Sequence, residues 1–317
     1  MLLDPQARAL IDLVAARGIP PTHLMTPEEA RRLFRERRFF TQPAPPEVTL
    51  TRDLVAPGPH GDIPLRLIRP AGAAADVRLP VLVYCHGGGW TIGDVDTHDT
   101  LCRELANGAG CAVVSVDYRL GPEHRFPAAV DDVLAATRWV AAQADALALD
   151  ATRLAIGGDS AGGNLAAVTA IAARDAGDLP VVFQLLIYPA VDMRATLPSH
   201  TTCAQGYMLT ADSIAYYRGH YIPDAGQWAD WRASPLLRED LQDLPPALVL
   251  TAGFDPLRDE GDRYARALQE AGVVVDFREE RSIIHAFANF FPLGGGSATA
   301  TSAMISALRA HLSHAES

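Results

Sequence analysis

The stretch LAIGGDSAGGNLA, residues 154–166, places four glycines around a single serine, Ser160, in an otherwise apolar segment. Glycine destabilises a strand or helix interior by about 0.5–1 kcal/mol, so this density indicates that the backbone needs space. An apolar run ends shortly before the serine, and an alanine-rich helical pattern begins at about Ala161. A strand that turns directly into a helix through Gly-x-Ser-x-Gly is a nucleophile elbow, whose strained backbone exposes the serine hydroxyl. We therefore predict that Ser160 is a nucleophile, and that Gly158 and Gly162 are glycines because side chains there would collide.

Composition limits the class of protein. The chain has 317 residues, 49% of them apolar, which is enough for one large α/β domain with a sizeable core and excludes a disordered chain. The net charge of −11 and pI of about 5.3 argue against a nucleic-acid partner or an anionic membrane surface. The sequence contains no lysine, which excludes Schiff-base chemistry, Walker-type phosphate loops and Ser-x-x-Lys hydrolases.

The four cysteines do not form a Cys-x-x-Cys pair, and two of them, Cys85 and Cys111, lie in apolar, strand-like runs. We expect reduced thiols that pack as small hydrophobic groups. Residues 1–18 lack a basic n-region and contain Asp4 and Asp12, so they do not resemble a signal peptide. No run of about 18 apolar residues is present, and we predict a cytoplasmic protein without membrane insertion.

From residue 46 onward, short apolar runs alternate with helical patterns, which indicates an α/β fold. Two alternating runs around PGPHGD predict an antiparallel pair of strands. Six further strands are predicted at 81–85, 112–118, 153–157, 182–188, 247–252 and 273–279, and amphipathic helices at 128–145, 161–175 and 258–271. Apolar strands that alternate with helices form a largely parallel sheet covered on both faces. We predict eight strands in all.

Two segments break this alternation. Residues 1–45 are predicted to form two helices, the second with Thr26 as N-cap, Pro27 at the first position and Glu29 at the third. Residues 192–233 contain no clear strand, and a long insertion after a parallel strand lies above the carboxyl ends where ligands bind. We predict that both segments form a helical cap over a core built from residues 46–191 and 234–317.

A second glycine cluster follows a predicted strand in VLVYCHGGGW, residues 81–90. A phosphate loop would need Gly-x-Gly-x-x-Gly spacing or a lysine, and both are missing. The alternative is a loop whose amides stabilise a developing oxyanion, where one donor typically contributes about 10²–10³ in rate. We assign this role to the amides of Gly88 and Gly89, with that of Ala161 as the third donor.

Three neighbouring residues are assigned to the substrate-binding region. Trp90 is expected to form a wall of the acyl site. His86 is expected to orient the glycine loop by hydrogen bonding and not to transfer a proton. Asp159, which precedes the serine, completes this group. We expect no metal ion, since neither these motifs nor the cysteines have metal-ligand spacing.

A serine hydroxyl needs a base, and a base needs an orienting acid. His285 follows the last predicted strand in RSIIHAFANF and precedes the final helix. In an architecture with a nucleophile elbow, the residues follow one another along the chain as serine, acid and histidine, and the histidine base lies at this place. Asp255 lies just past the preceding strand. Its rivals Asp259, Glu260 and Asp262 lie in the first turns of a helix, where acids commonly compensate the helix dipole. His124 is not expected to act as the base.

Together these motifs resemble the hormone-sensitive-lipase-like carboxylesterases (family IV) of the α/β-hydrolase fold. The HGGG run at 86–89, GDSAGG at 158–163, YRLGPEHRFPAAVDD at 118–132, DPLRDE at 255–260 and HAF at 285–287 occur in the order of that family, from about residue 46 to 312. The resemblance implies a triad of Ser160, Asp255 and His285, an oxyanion hole of Gly88, Gly89 and Ala161, and a helical cap. It also implies hydrolysis of short- to medium-chain carboxylic esters without a cofactor.

The family pattern is not followed at three positions: Gly121 stands where alanine is common, and Ser282 and Ala286 stand where glycine is common. The last two flank His285 and are expected to affect its loop. By analogy with the family, a homodimer through the edge strand at 273–279 is plausible. An amidase, deacetylase or acyltransferase with the same triad is the alternative, as is a non-catalytic small-molecule-binding protein, which would lack the histidine.

Overall fold

Eight strands lie side by side in one sheet at the centre of the computed structural model, which describes residues 2–289 and 296–313. They are β1 (Leu50–Gly58), β2 (Gly61–Arg69), β3 (Leu79–Cys85), β4 (Ala112–Val116), β5 (Leu149–Asp159), β6 (Val181–Ile187), β7 (Ala247–Phe254) and β8 (Val275–Ile284). In the order β1-β2-β4-β3-β5-β6-β7-β8, strand β2 is antiparallel to β1 and β4, and all other neighbours are parallel. The predicted eight-stranded, mostly parallel sheet is confirmed.

Most of the helices lie between these strands, in the alternation that the sequence predicted. They are α1 (Pro5–Ala16), α2 (Pro27–Thr41), α3 (Asp99–Ala109), α4 (Ala128–Ala142), α5 (Ala161–Ala176), α6 (Ser199–Thr202), α7 (Ala211–Tyr221), α8 (Arg258–Glu270) and α9 (Gly296–Leu312). Across the described ranges 2–289 and 296–313, no helix is both long and apolar enough to traverse a bilayer. The predicted core segment 234–317 includes residues 290–295 and 314–317, which lie outside the described ranges.

Strand β3 shows why both faces of the sheet are covered. Its residues are all buried, and successive side chains point to opposite faces because a strand repeats every two residues. Val81 and Val83 join the cluster formed with α4, α5 and α8, whereas Leu82 and Tyr84 join the cluster formed with α3 and α9. Burying one such aliphatic side chain contributes about 1.5–3 kcal/mol, so two complete layers of helices stabilise the sheet.

The two segments that break the strand–helix alternation meet on one side of the molecule. Helix α2 begins with the predicted capping box, in which Thr26 and Glu29 satisfy each other's backbone amides. Helix α1 packs Leu10 against Ile284 at the end of β8. Residues 22–24, between α1 and α2, contact α7. The N-terminal helices and the 192–233 segment therefore face the same end of the sheet.

That end is where the predicted functional residues lie. The glycine loop follows β3, Ser160 follows β5, Asp255 follows β7 and His285 follows β8. These four strands are parallel or joined through parallel neighbours, so their carboxyl ends share one edge of the sheet. Residues far apart in the sequence are thereby brought into one place.

Candidate active site

Ser160 occupies a sharp turn between β5 and α5. Its φ of +56° and ψ of −115° fall outside the regions that L-residues favour. The turn is held by its backbone, because the Ser160 amide donates to Ile187 O at 2.9 Å. A Cβ on Gly158 would lie 2.5 Å from the carbonyl carbon of Gly162, and one on Gly162 would lie 2.6 Å from that of Cys85. These glycines are therefore required by close backbone contacts, which agrees with the reasoning from the sequence.

His285 and Asp255 complete a continuous chain of hydrogen bonds from the serine. The Ser160 hydroxyl lies 3.0 Å from His285 Nε2, and His285 Nδ1 lies 2.6 Å from Asp255 Oδ2. The second carboxylate oxygen of Asp255 accepts the Leu257 amide at 2.8 Å. Asp255 is fully buried, and His285 is almost so. The structure thus brings together the three residues that the sequence selected.

The rival acids are engaged elsewhere. Asp259 accepts the Ser199 amide at 2.8 Å, and Asp262 pairs with Arg266 on its own helix. Glu260 is buried beside His200, with 2.8 Å between Oε2 and the ring Nε2. These contacts leave Asp255 as the carboxylate that orients the His285 imidazole.

The glycine loop after β3 adopts a conformation that suits glycine alone. Gly88 and Gly89 have φ values of +126° and +58°, and a Cβ on Gly89 would clash with the Tyr217 ring, whose two Cδ atoms would be 2.6 Å away. Both glycines border the same cavity as Ser160. Ala161, the third expected donor, is the first residue of α5, so its amide has no partner within the helix.

His86, one of the three residues assigned to substrate binding, lies outside the cavity. His86 is fully buried and does not border the cavity; its Nδ1 lies 2.9 Å from Gly87 O, and its ring stacks on Tyr118 at 4.3 Å. Burial and the nearby His98 lower the pKa of His86 to about 4, so the ring is neutral near pH 7. The expectation that His86 orients the loop fits this position, whereas direct substrate contact by His86 does not.

Asp159 borders the cavity, but its carboxylate is occupied by the protein. It accepts hydrogen bonds from the Tyr84 hydroxyl at 2.8 Å, the Gly87 amide at 2.9 Å and the Asn289 amide group at 3.2 Å. Burial opposes its ionisation, but the interaction with His98 holds the pKa of Asp159 below its ordinary value. Asp159 therefore ties the serine turn to the glycine loop, and its assignment to substrate binding stays a prediction.

His98 and Asn289 were not selected from the sequence, although both contact the Asp159 carboxylate. Asn289 lies four residues after His285 in an apolar run, and an isolated amide there is the only signal that could have indicated it. His98 has no comparable pattern. Its contact with Asp159 joins residues 61 positions apart, which only the fold brings together.

The cavity above Ser160 has a volume of about 370 Å³ and a mostly apolar lining. Trp90 borders it, as expected, and its indole stacks on Tyr221 at 4.8 Å. Other lining side chains come from the N-terminal helices and from the segment before and within α7, among them Ile11, Val14, Leu33, Phe34, Met208, Ile214 and Tyr217. Within residues 2–289 and 296–313, no group of three or more His, Cys, Asp or Glu residues is arranged to hold a metal ion.

Comparisons with known proteins identify the family of this chain. A family model described as alpha/beta hydrolase fold matches residues 82–289, about two thirds of the chain. The chain belongs to this family. The motif-based resemblance to hormone-sensitive-lipase-like carboxylesterases is confirmed by two relatives from Mycobacterium tuberculosis. The carboxylic ester hydrolase LipN is 51% identical over 82% of this chain and 70% of that protein, and the carboxylesterase NlhH is 41% identical over 97% and 95%.

The three-dimensional similarity is equally extensive. The ester-hydrolase EH1AB1, from the metagenome of Lake Arreo and solved with a derivative of bipyridine phosphonate, superposes with a TM-score of 0.93. The two chains are 42% identical, and the match covers 98% of this chain and 99% of the other. The structural match therefore extends over essentially the whole chain, including the N-terminal helices.

Proposed function

We propose that this α/β hydrolase is a serine carboxylesterase that cleaves short- to medium-chain carboxylic esters through an acyl-enzyme on Ser160. The observation that carries the proposal is the uninterrupted chain from Ser160 through His285 to Asp255 at the base of an apolar cavity. The names of the relatives support the same reaction class.

In this mechanism, His285 takes the proton of the Ser160 hydroxyl as the oxygen attacks the ester carbonyl. The amides of Gly88, Gly89 and Ala161 bind the negative charge that develops on the carbonyl oxygen. His285 then protonates the leaving alcohol, and a water molecule activated by the same imidazole releases the acid. Asp255 holds the tautomer in which Nδ1 carries hydrogen and stabilises the imidazolium.

The cavity supports the substrate class. Its apolar lining favours an acyl or alkyl chain, and its volume of about 370 Å³ favours chains of limited length. We propose that residues 1–45 and 192–233 form the cap over cores 46–191 and 234–317, since both segments contribute to the cavity wall. Trp90 is proposed to bound the acyl site.

The test combines one variant with a substrate series. Wild type and Ser160→Ala are assayed on p-nitrophenyl acetate, butyrate, octanoate and laurate. We expect the highest kcat/KM on one of the first three and a loss of at least about 10³-fold in Ser160→Ala. Labelling by diethyl p-nitrophenyl phosphate should modify Ser160 and abolish activity. Undiminished activity in Ser160→Ala would refute the proposal.

The alternatives have direct tests. An amidase would hydrolyse a butyryl p-nitroanilide at a rate comparable with that of the matched ester, and an acyltransferase would favour an added alcohol over water. A binding protein would retain a ligand without turnover. The 3.0 Å contact between Ser160 and His285 argues against the last, because a binding protein needs no base there.

We propose a cytoplasmic location, supported by four free, buried cysteines. A homodimer through β8 is proposed as well, because this edge strand pairs only with β7 within the described sheet. The structure begins β8 at Val275, two residues after the predicted start at 273. Light scattering after size exclusion would test the dimer, and cell fractionation would test the location.

A further inference from the structure

One face of α2 holds the segment that follows the glycine loop. Its contacts come from Arg31, Arg35, Arg38 and Gln42. These residues are spaced i, i+4, i+7 and i+11, so their side chains lie along a single stripe of the helix. They contact residues 91–97 in matching order: Arg31 with Thr91, Arg35 with Asp94, Arg38 with Asp96 and Gln42 with Thr97. This register joins an element of the proposed cap to the core.

Residues 94–97, at the C-terminal end of this contact, form a turn held by reciprocal hydrogen bonds. The Asp94 carboxylate accepts the Thr97 amide at 2.8 Å, and the Thr97 hydroxyl accepts the Asp94 amide at 2.9 Å. Burial opposes the ionisation of Asp94, but the hydrogen bond from Arg35 lowers its pKa below the ordinary value. Arg38 and Gln42 donate to carbonyls at 2.8 and 3.0 Å. Helix α2 therefore binds a segment, residues 94–97, whose conformation is already fixed by its own hydrogen bonds.

Arg31 makes the contacts nearest to the proposed oxyanion donors. Its Nε donates to Thr91 O at 2.8 Å, and one of its terminal nitrogens donates to Gly121 O at 2.7 Å. The same guanidinium pairs with both oxygens of Glu123, at 2.6 and 2.8 Å. A planar guanidinium with five donors can satisfy this set, which an ammonium group cannot.

Both carbonyl partners of Arg31 belong to residues that hold the glycine turn. The Thr91 amide donates to Gly88 O at 3.1 Å, and the Thr91 hydroxyl donates to Gly89 O at 3.0 Å. The Gly121 amide donates to Trp90 O at 2.8 Å. Glycines resist a fixed conformation because they lose the most backbone entropy, so a loop of glycines depends on such external contacts.

We propose that Arg31 is a positioning residue for catalysis, which acts through Thr91 and Gly121 on the amides of Gly88 and Gly89. This inference rests on the oxyanion role proposed above. A donor displaced by a fraction of an ångström stabilises the oxyanion less but leaves ground-state binding nearly unchanged. Helix α2 is, on this view, a fixed support of the oxyanion loop and not a lid that swings away.

Four variants test the proposal on p-nitrophenyl butyrate. For Arg31→Ala we expect kcat to fall about 10- to 100-fold with KM within about twofold, and for Arg31→Lys a smaller loss in kcat. Glu123→Gln keeps both carbonyl contacts of Arg31 and should stay within about threefold of wild type. The matched control is Arg32→Ala, since Arg32 is exposed and pairs with Glu36 on its own helix; it should leave both parameters unchanged.

A second readout separates positioning from general damage. A trifluoromethyl ketone with a butyl chain adds the Ser160 hydroxyl to its carbonyl, the proton passes to His285, and the resulting hemiketal oxygen mimics the transition-state charge. Its inhibition constant should rise in Arg31→Ala in proportion to the loss of kcat/KM, whereas that of the corresponding alcohol should not. Thermal unfolding reports folding, and Arg31→Lys carries the test if the alanine variant does not fold.

The outcomes are distinguishable. If kcat of Arg31→Ala is unchanged, or if both inhibitors weaken equally, the positioning role is refuted. If wild type does not hydrolyse the ester at all, the proposed function fails, independently of Arg31. A higher KM with unchanged kcat would make Arg31 only part of the substrate-binding wall, which also overturns the inference.

Discussion

Replacing Asp255 by asparagine tests the proposed role of Asp255 in orienting the His285 imidazole, and the local hydrogen bonds set the expected size of the effect. In wild type, one carboxylate oxygen accepts the Leu257 amide at 2.8 Å and the other faces His285 Nδ1 at 2.6 Å. An asparagine has one oxygen and one NH₂ group in these two places. Whichever way it turns, one donor must face another donor or the imidazole must change its tautomer.

The Leu257 backbone amide decides which orientation the asparagine side chain adopts. If the asparagine oxygen stays on the Leu257 amide, its NH₂ group faces His285 Nδ1, which must then be an acceptor. Nε2 carries the hydrogen in that tautomer and cannot take the Ser160 proton. Turning the side chain leaves the buried Leu257 amide without its acceptor at a cost of about 1–3 kcal/mol, which limits the productive form to roughly one part in 5 to 150.

Loss of the negative charge adds to this tautomer effect, because nothing then stabilises the imidazolium. Together we expect kcat for Asp255→Asn to fall by about 10³–10⁴-fold, with KM little changed. Steady-state hydrolysis of p-nitrophenyl butyrate measures both. Asp259→Asn is the matched control, since that carboxylate contacts Ser199, and it should retain activity within about threefold. A loss of less than about tenfold in Asp255→Asn would show that another acid orients His285.

Three further predictions concern a close glycine contact, a buried carboxylate and the wall of the cavity. Gly162→Ala should lower Tm strongly or prevent folding, because its Cβ would lie 2.6 Å from the Cys85 carbonyl carbon. The control Gly219→Ala has open space on α7 and should raise Tm slightly. Equal effects of the two substitutions on thermal unfolding would refute the steric argument. Burial raises the pKa of Asp117 to about 6, so its folded form binds a proton more tightly than the unfolded chain and stability falls as pH rises from about 4 to above 6. Asp117→Asn should therefore raise Tm by about 2–4 °C near pH 8 and leave it unchanged near pH 4, which unfolding scans at both pH values would check. Trp90→Ala should enlarge the cavity and raise the ratio of kcat/KM on octanoate to that on acetate by at least about tenfold; an unchanged ratio would remove Trp90 from the acyl wall.

Ala286 illustrates how a departure from the family pattern is accommodated. It follows His285 and has a φ of +67°, the left-handed region that favours glycine. Neighbouring contacts hold this loop in place: the Asp4 amide donates to Ser282 O at 2.7 Å, and the His285 ring lies 4.5 Å from that of Tyr188. Of the other two departures, Ser282 contributes only its backbone carbonyl to these contacts. Gly121 lies elsewhere, with its carbonyl on Arg31, and a Cβ there would lie 2.9 Å from His220 O, so this position requires glycine.

The sequence by itself determined the features that depend on neighbouring residues. The elbow at Ser160, the capping box at Thr26 and the alternation of apolar strands with helices follow from local sterics, local hydrogen bonds and the periods of strand and helix. The meeting of residues that follow different strands then follows from a parallel sheet, because its carboxyl ends share one edge. For these reasons the fold, its eight strands and the meeting of Ser160, His285 and Asp255 could be predicted.

Only the tertiary structure decided which side chains meet across long separations. Periodicity indicates which face of an element is buried but not which loop covers it, so the contact of Asp159 with Asn289, 130 residues away, had no local signal. The same limit applies to His86, which lies behind the loop and not in the cavity, and to Arg31, whose partner Thr91 is 60 residues distant. The position of these groups is set by how whole helices pack on the sheet.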